Sequence, residues 1–535
     1  MKFNKIFSGI LLVATSTAFG QNLQNATKNT DNEFFTEAEK EFRILIVNEP
    51  SNANNYFYLG ENFYAQKEID SAVVYWNKAM EKDALNPISS VAAGKAKLIK
   101  GDIAGAKALF TEVLTKTKNK NAEIIRMIAK AYLTSDFPNT TETIALLTQA
   151  VKVDPKNEFN FLLLGDAYLT SDPINPNEAI KNYNDVLDIN PKSPRGLVRI
   201  GKLYTRVNSD SAANVNFAKA ISIDPTYAPA YRENAELYLK YTNKANKAIE
   251  NWKKYLELNN SQEARYRYIT ALYKGKQYAE VITEANNLIA TGFSSFYLDR
   301  MLTFACAETT IDKANVDKGL AASDVFFKKV PQDKINFLDF KYRAQLLQVA
   351  NKDSLAILEY EKAISKDESK KGEILPVIAK AYLKTKKYQK GIDLLEEKLK
   401  ASGLTSAEYF DLGKAYFFGP KKYVLADSAF TKVIAKSPTF TSGYYWKARS
   451  IYFGNLNDKT FAAKPYYEKT FEMIKAEERS TSANKSMVLE SCKYLGDYYY
   501  NSTSKDLEKA KSFFAIVQEI DPADAQAKAF FTKVK

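Results

Sequence analysis

The chain has 535 residues, 45% of them hydrophobic and 26% charged, with only 20 Gly and 16 Pro; this balance excludes a collagen-like fibre and a wholly disordered chain. Lys and Arg number 76 against 63 acidic residues, a formal +13, but they are scattered without an arginine-rich block, which reads as solvated surface rather than a nucleic-acid footprint. Histidine is absent, so the commonest general base and the commonest transition-metal ligand are missing from any mechanism.

Residues 1–20 open with Lys2 and Lys5, continue through the apolar stretch 6–14 and end in Ala18-Phe19-Gly20 before Gln21. That is the pattern of a secretory signal peptide, too short to span a bilayer permanently and without a nearby cysteine to accept a lipid. The expectation is an exported protein, periplasmic or extracellular, with no integral membrane segment in the mature chain. Such compartments oxidise thiols. Cys306 and Cys492 are the only cysteines, and about five repeats of packed helices between them keep them apart, so both are expected to be free.

From Ala53 onward one signal recurs at roughly 34 to 36 residues: a small residue three before an aromatic, then a second small residue twelve later. The clearest copy, residues 194–227, carries Leu197, Ile200, Gly201 and Tyr204, then Ala213, Phe217 and Ala220, and closes on Asp224-Pro225. The first four share one face of a 3.6-period helix and the next three the facing stripe of a second. Small residues let the two helices approach closely, aromatics fill the space beside them, and the proline stops the second helix.

This pattern resembles the tetratricopeptide repeat (TPR), which has small residues at positions 8, 20 and 27, aromatics at 11 and 24 and a proline at 32. The resemblance implies an all-α fold: a right-handed α-solenoid, or superhelix, of about 12 to 13 helix-turn-helix repeats with capping helices. Residues 21–52 are expected to hold an N-terminal capping helix, with Ala38 and Phe42 at second-helix spacing. An N-terminal array covers 53–292, a degenerate repeat and candidate hinge 293–336, a C-terminal array 337–522, and a capping helix 523–535. Within the degenerate part, residues 309–318 read as a long turn and the best hinge.

Chemistry is hard to place on this chain. There is no Gly-rich phosphate loop and no metal-spaced cysteine pair, Cys306 has no histidine to act as its base, and Trp76 and Trp252 both fall at core position 24. No catalytic residue, cofactor or metal is expected.

In the family that the repeats resemble, positions 2, 5, 9 and 12 of the first helices line a concave groove. Carried onto this sequence, those slots place the cations Arg126, Lys130, Lys202, Lys380 and Lys414 and the aromatic residues Phe57, Tyr64, Phe410 and Phe417 in a groove for an acidic or carboxylate-bearing segment of a partner. The implied function is a non-catalytic protein–protein interaction scaffold of the cell envelope, binding proteins or peptides and not nucleic acid; the alternative is a periplasmic or surface protein that captures glycans or peptides.

Overall fold

The computed structural model describes residues 22–309, 312–503 and 505–534. The signal-peptide reading of residues 1–20 lies outside the described residues, as do residues 310–311 of the expected hinge. Among the described residues every regular element is a helix. Thirteen consecutive pairs run from Ala53–Ala65 with Ile69–Lys82 to Lys485–Asn501 with Leu507–Ile520, and Ala525–Lys533 follows them. The chain divides into two compact units, Met1–Ser294 and Ser295–Lys535.

The ends of the helices are written locally. Asn52, Asn86, Asn121, Asn157 and Ser193 each accept a backbone N–H from the helix that follows, and Pro87 and Pro194 stand in the first turn, where no hydrogen bond is lost. Each such cap contributes about 1 kcal/mol. Between the two helices of a pair the chain turns on one left-handed residue: Lys67, Gly101, Asn208, Lys276, Asn351 or Lys386, at φ between 58° and 77°.

Pairs are tied to their neighbours by a recurring polar contact. Asn55, Ser89 and Asn160, each near the start of a first helix and buried, donate to the carbonyls of Leu45, Ala79 and Ala150 ten residues back, at 3.2, 3.0 and 3.2 Å. Ala79 and Ala150 themselves are fully buried. A small residue there lets the next helix come close, and the hydrogen bond fixes where along it the contact is made.

Three stretches differ from the sequence reading. Residues 21–52 hold two helical stretches, 22–31 and Phe35–Asn48, in place of one capping helix, and bury Ala26, Ala38 and Phe42. The expected long turn at 309–318 is largely helix, since Lys313–Lys329 is a 17-residue element. The extra residues lengthen the second helix, and Gly319, not seen as a repeat residue, is the small residue packed against Cys306. In the pair around Ala448 the second helix is cut to Lys464–Glu472, nine residues.

At the C-terminal end Phe530 stacks on Phe514 with ring centroids 4.3 Å apart. Cys306 and Cys492 are free and buried. Among the described residues no helix is long and apolar enough to cross a membrane, and no three His, Cys, Asp or Glu side chains stand together as a metal site.

Candidate partner-binding groove

In the first unit the first helices of successive pairs also touch one another, and their inward side chains enclose a cavity of about 450 Å³. Its charged lining comprises six cations, Arg126, Lys130, Arg195, Arg199, Lys202 and Arg232, and four carboxylates, Asp31, Glu33, Glu61 and Glu233. Ion pairs step from one first helix to the next. Glu61 is 5% exposed and meets both Lys95, 4% exposed, and Lys130 at 3.0 Å. Arg199 donates to Asp166 at 2.9 and 3.1 Å, and Tyr183 donates to the same carboxylate at 2.7 Å. Glu233 pairs with Arg232 at 2.8 Å and Lys202 at 3.3 Å.

These surroundings set protonation. Burial alone would raise the Glu61 carboxyl, but Lys95 and Lys130 outweigh it and hold it down to about 2. Burial pushes the Lys95 ammonium down to about 8 against the pull of Glu61. Lys95 also lies 4.7 Å from the Trp76 ring centre and 5.0 Å from that of Tyr64, an arrangement that favours a desolvated cation. Burial likewise opposes ionisation of Glu233, and Arg232 and Lys202 overcome it and lower its pKa.

Two of the lining carboxylates come from ahead of the first pair. Glu33 receives Arg232 through two bonds, at 2.9 and 3.2 Å, and the Tyr255 hydroxyl at 2.6 Å. Asp31 stands 3.4 Å from Arg195, which is 3.4 Å from Glu158 as well.

The geometry within each pair bears out the repeat pattern read from the sequence. A β-carbon on Gly201 would lie 2.4 Å from Phe217 Cε1, and one on Gly60 would lie 2.4 Å from Trp76 Cδ1. Gly94, Gly165, Gly413 and Gly496 face Phe110, Tyr183, Phe430 and Phe514 in the same way, at 2.2 to 2.8 Å. Position 8 of the first helix thus seats the aromatic ring at position 24 of the second, pair after pair. The helix pairs pack in the manner of tetratricopeptide repeats.

No family model matches the chain, and no curated protein matches it. Among solved structures it is similar to the C-terminal part of a TPR repeat-containing protein from Cytophaga hutchinsonii, at 28% identity over 50% of this chain and 98% of that one, with a TM-score of 0.42. It is also similar to PilF of Pseudomonas aeruginosa, at 18% identity over 46% of this chain and 97% of that one, TM-score 0.30. A third similar structure is the human IFIT1 dimer with m7Gppp-AAAA, at 13% identity over 83% of this chain and 95% of that one, TM-score 0.30.

The TPR slots sort the expected groove residues. Arg126, Lys130 and Lys202 share the cavity of the first unit, where Arg126 donates to Asn160 at 3.2 Å. Lys380 and Lys414 share a second cavity of about 860 Å³ in the second unit, with Asp411 and Phe418 in its wall. Burial raises the Asp411 carboxyl despite both lysines.

The aromatic residues fare differently. Phe57 and Phe417 are buried, Phe417 among Tyr423 of its own repeat and Trp446 and Phe453 of the next. Phe410 is half-buried on Phe430 and Phe440. Tyr64 keeps part of its ring open while its hydroxyl donates to the Thr134 carbonyl at 2.5 Å.

Arg195 and Arg199 were not singled out by the sequence reading. Arg195 stands at position 2, one of the groove slots, and could have been found there. Arg199, at position 6, occupies no groove slot; it pairs with Asp166 of the preceding repeat and lines the cavity. Asp31 and Glu33 precede the repeats and carry no slot at all.

Proposed function

We propose that this TPR chain is a non-catalytic protein–protein interaction scaffold of the cell envelope, whose first-helix groove holds an acidic or carboxylate-bearing segment of a partner protein. The observation that carries the reading is the convergence of Arg126, Lys130, Arg195, Arg199, Lys202 and Arg232 on one cavity, where carboxylates of the chain's own N-terminal segment already lie. The envelope location rests on the pattern of residues 1–20.

A protein segment fits this groove better than a nucleic acid. Glu61, Asp166 and Glu233 are set among the cations and neutralise several of them, whereas a phosphate-tracking groove leaves its cations uncompensated. Cations interleaved with fixed carboxylates select register and partner by charge pattern.

The test is affinity capture from crosslinked envelope with the unaltered chain and with two charge-reversed chains, Lys202→Glu and Lys380→Glu/Lys414→Glu. A discrete protein captured in a salt-sensitive manner and lost with a reversal supports the reading. Capture of RNA, of soluble glycan alone, or of the same proteins by all three chains contradicts it.

A further inference from the structure

The segment ahead of the first repeat reaches well beyond the repeat it covers. The first pair is covered by Ala26, Ala38 and Phe42, all fully buried, and by hydrogen bonds from Asn55 to the Leu45 carbonyl, from Asn62 to the Phe35 carbonyl and from Thr30 to Asn62. Asp31 and Glu33 contribute nothing to that cover. They extend to Arg195 in the fifth pair and to Arg232 and Tyr255 in the sixth. With these two carboxylates the cavity has six cations against four anions, and without them six against two.

We propose that residues 22–34 are an internal occupant of the first unit's groove, and that the partner it admits is a protein segment with two closely spaced carboxylates that replaces Asp31 and Glu33 on Arg195 and Arg232. This rests on the groove reading above and adds that the site is filled by the chain itself until a better-fitting segment arrives. The displacement is feasible because the two seats are unequal. Glu33 is held firmly, by two guanidinium bonds and a phenol. Asp31 is held loosely: its distance of 3.4 Å is long for a charge-assisted bond, and Glu158 shares the same guanidinium.

The same place holds unused bonding capacity. The Arg195 Nε–H is buried with no hydrogen-bond partner, and an unmade bond of this kind costs about 1 to 3 kcal/mol. Asp31 keeps 38% of its side-chain surface open to the cavity, yet enclosure by protein raises its carboxyl despite Arg195, Lys130 and Arg199. An incoming carboxylate that takes Nε and Nη2 of Arg195 together would gain the Nε bond that Asp31 leaves unmade.

The probe is a fluorescein-labelled synthetic peptide with the sequence of residues 22–34, together with its Asp31→Asn/Glu33→Gln counterpart. Both are titrated by fluorescence anisotropy against the full chain, the full chain carrying Asp31→Asn/Glu33→Gln, and that variant with Arg195→Ala/Arg232→Ala added. The expected result is binding of the acidic peptide at least about tenfold tighter to the Asp31→Asn/Glu33→Gln chain than to the unaltered one, which is about 1.4 kcal/mol. The neutral peptide should not bind, and the arginine substitutions should abolish binding.

Hydrogen exchange supplies the second measurement. Arg195→Ala/Arg232→Ala in the otherwise unaltered chain should lower protection at 22–34 at least about tenfold while the second helices of the repeats keep theirs. Equal peptide affinity for the first two chains, or unchanged protection at 22–34, overturns the inference and leaves the groove reading in place. Binding that survives loss of the two arginines, or that is absent from every chain, overturns both.

Discussion

Replacing Glu61 by Ala should strip the first three repeats of a large part of their local stability. The substitution leaves Lys95 buried without a counter-charge and Lys130, 36% exposed, without its partner. Breaking a buried pair from one side costs about 3 to 5 kcal/mol.

A stack of repeats unfolds piecewise rather than all at once, so a global melting temperature would blur the effect. Hydrogen exchange resolved by peptide is the proper assay. Protection in Ala53–Ala65, Pro87–Ile99 and Ala122–Thr134 should fall on the order of a hundredfold, with the second unit unchanged. Glu61→Leu/Lys95→Met, which removes both buried charges and lets Lys130 turn to solvent, should recover most of the loss. Unchanged protection in Glu61→Ala, or a double variant as damaged as the single one, would refute the claim that this pair is buried and mutually dependent.

The same pair sets a pH response. Because the folded Glu61 carboxyl lies below its unfolded value, its contribution is complete above about pH 4.5 and fades as pH falls toward 2; protection in the first three repeats should drop across that window, and Glu61→Ala should remove the dependence. Lys95, pushed down to about 8 from 10.5 by burial, works the other way, adding stability as pH rises from 8 toward 10.5. Gly201→Ala gains about 1 kcal/mol of helix propensity but drives a β-carbon to 2.4 Å from Phe217, an overpacking that costs about 1 to 3 kcal/mol; urea denaturation should show net destabilisation, and Phe217→Leu should relieve it. Burial lifts the Cys306 and Cys492 thiols to about 11 and about 12, so neither should react with iodoacetamide at pH 8 until the chain is unfolded, as mass spectrometry of the labelled protein will show.

How much of this was legible in the sequence depends on distance along the chain. The helix pairs were legible because their contacts are local: Gly201 and Phe217 are 16 residues apart, and the same spacing recurs at Gly60 with Trp76 and Gly94 with Phe110. The lengthening of Lys313–Lys329 was not, because inserted residues with helix-forming composition look the same in a turn as in an extra turn of helix. Lys130 and Lys202 were placed in the groove by slot alone. Their pairing with Glu61 and Glu233 depends on curvature that brings side chains 69 and 31 residues apart together, and no local pattern encodes it. The burial of Phe57 and Phe417 was not legible for the same reason, since the slot does not say what is packed over it. The reach of Asp31 and Glu33 to the fifth and sixth pairs is a contact of 164 and 199 residues, visible only once the first unit is folded.

The central claim is that the inner face of the first helices, and not the outer face of the second, is where a partner lies. Photo-crosslinking amino acids placed at Lys202 and Lys380 on the inner side and at Val215, Leu355 and Val424, all exposed on second helices, test it directly in cells. Discrete adducts of one protein from the inner positions, with none from the outer three, are the predicted result. Adducts confined to Val215, Leu355 or Val424 would contradict it.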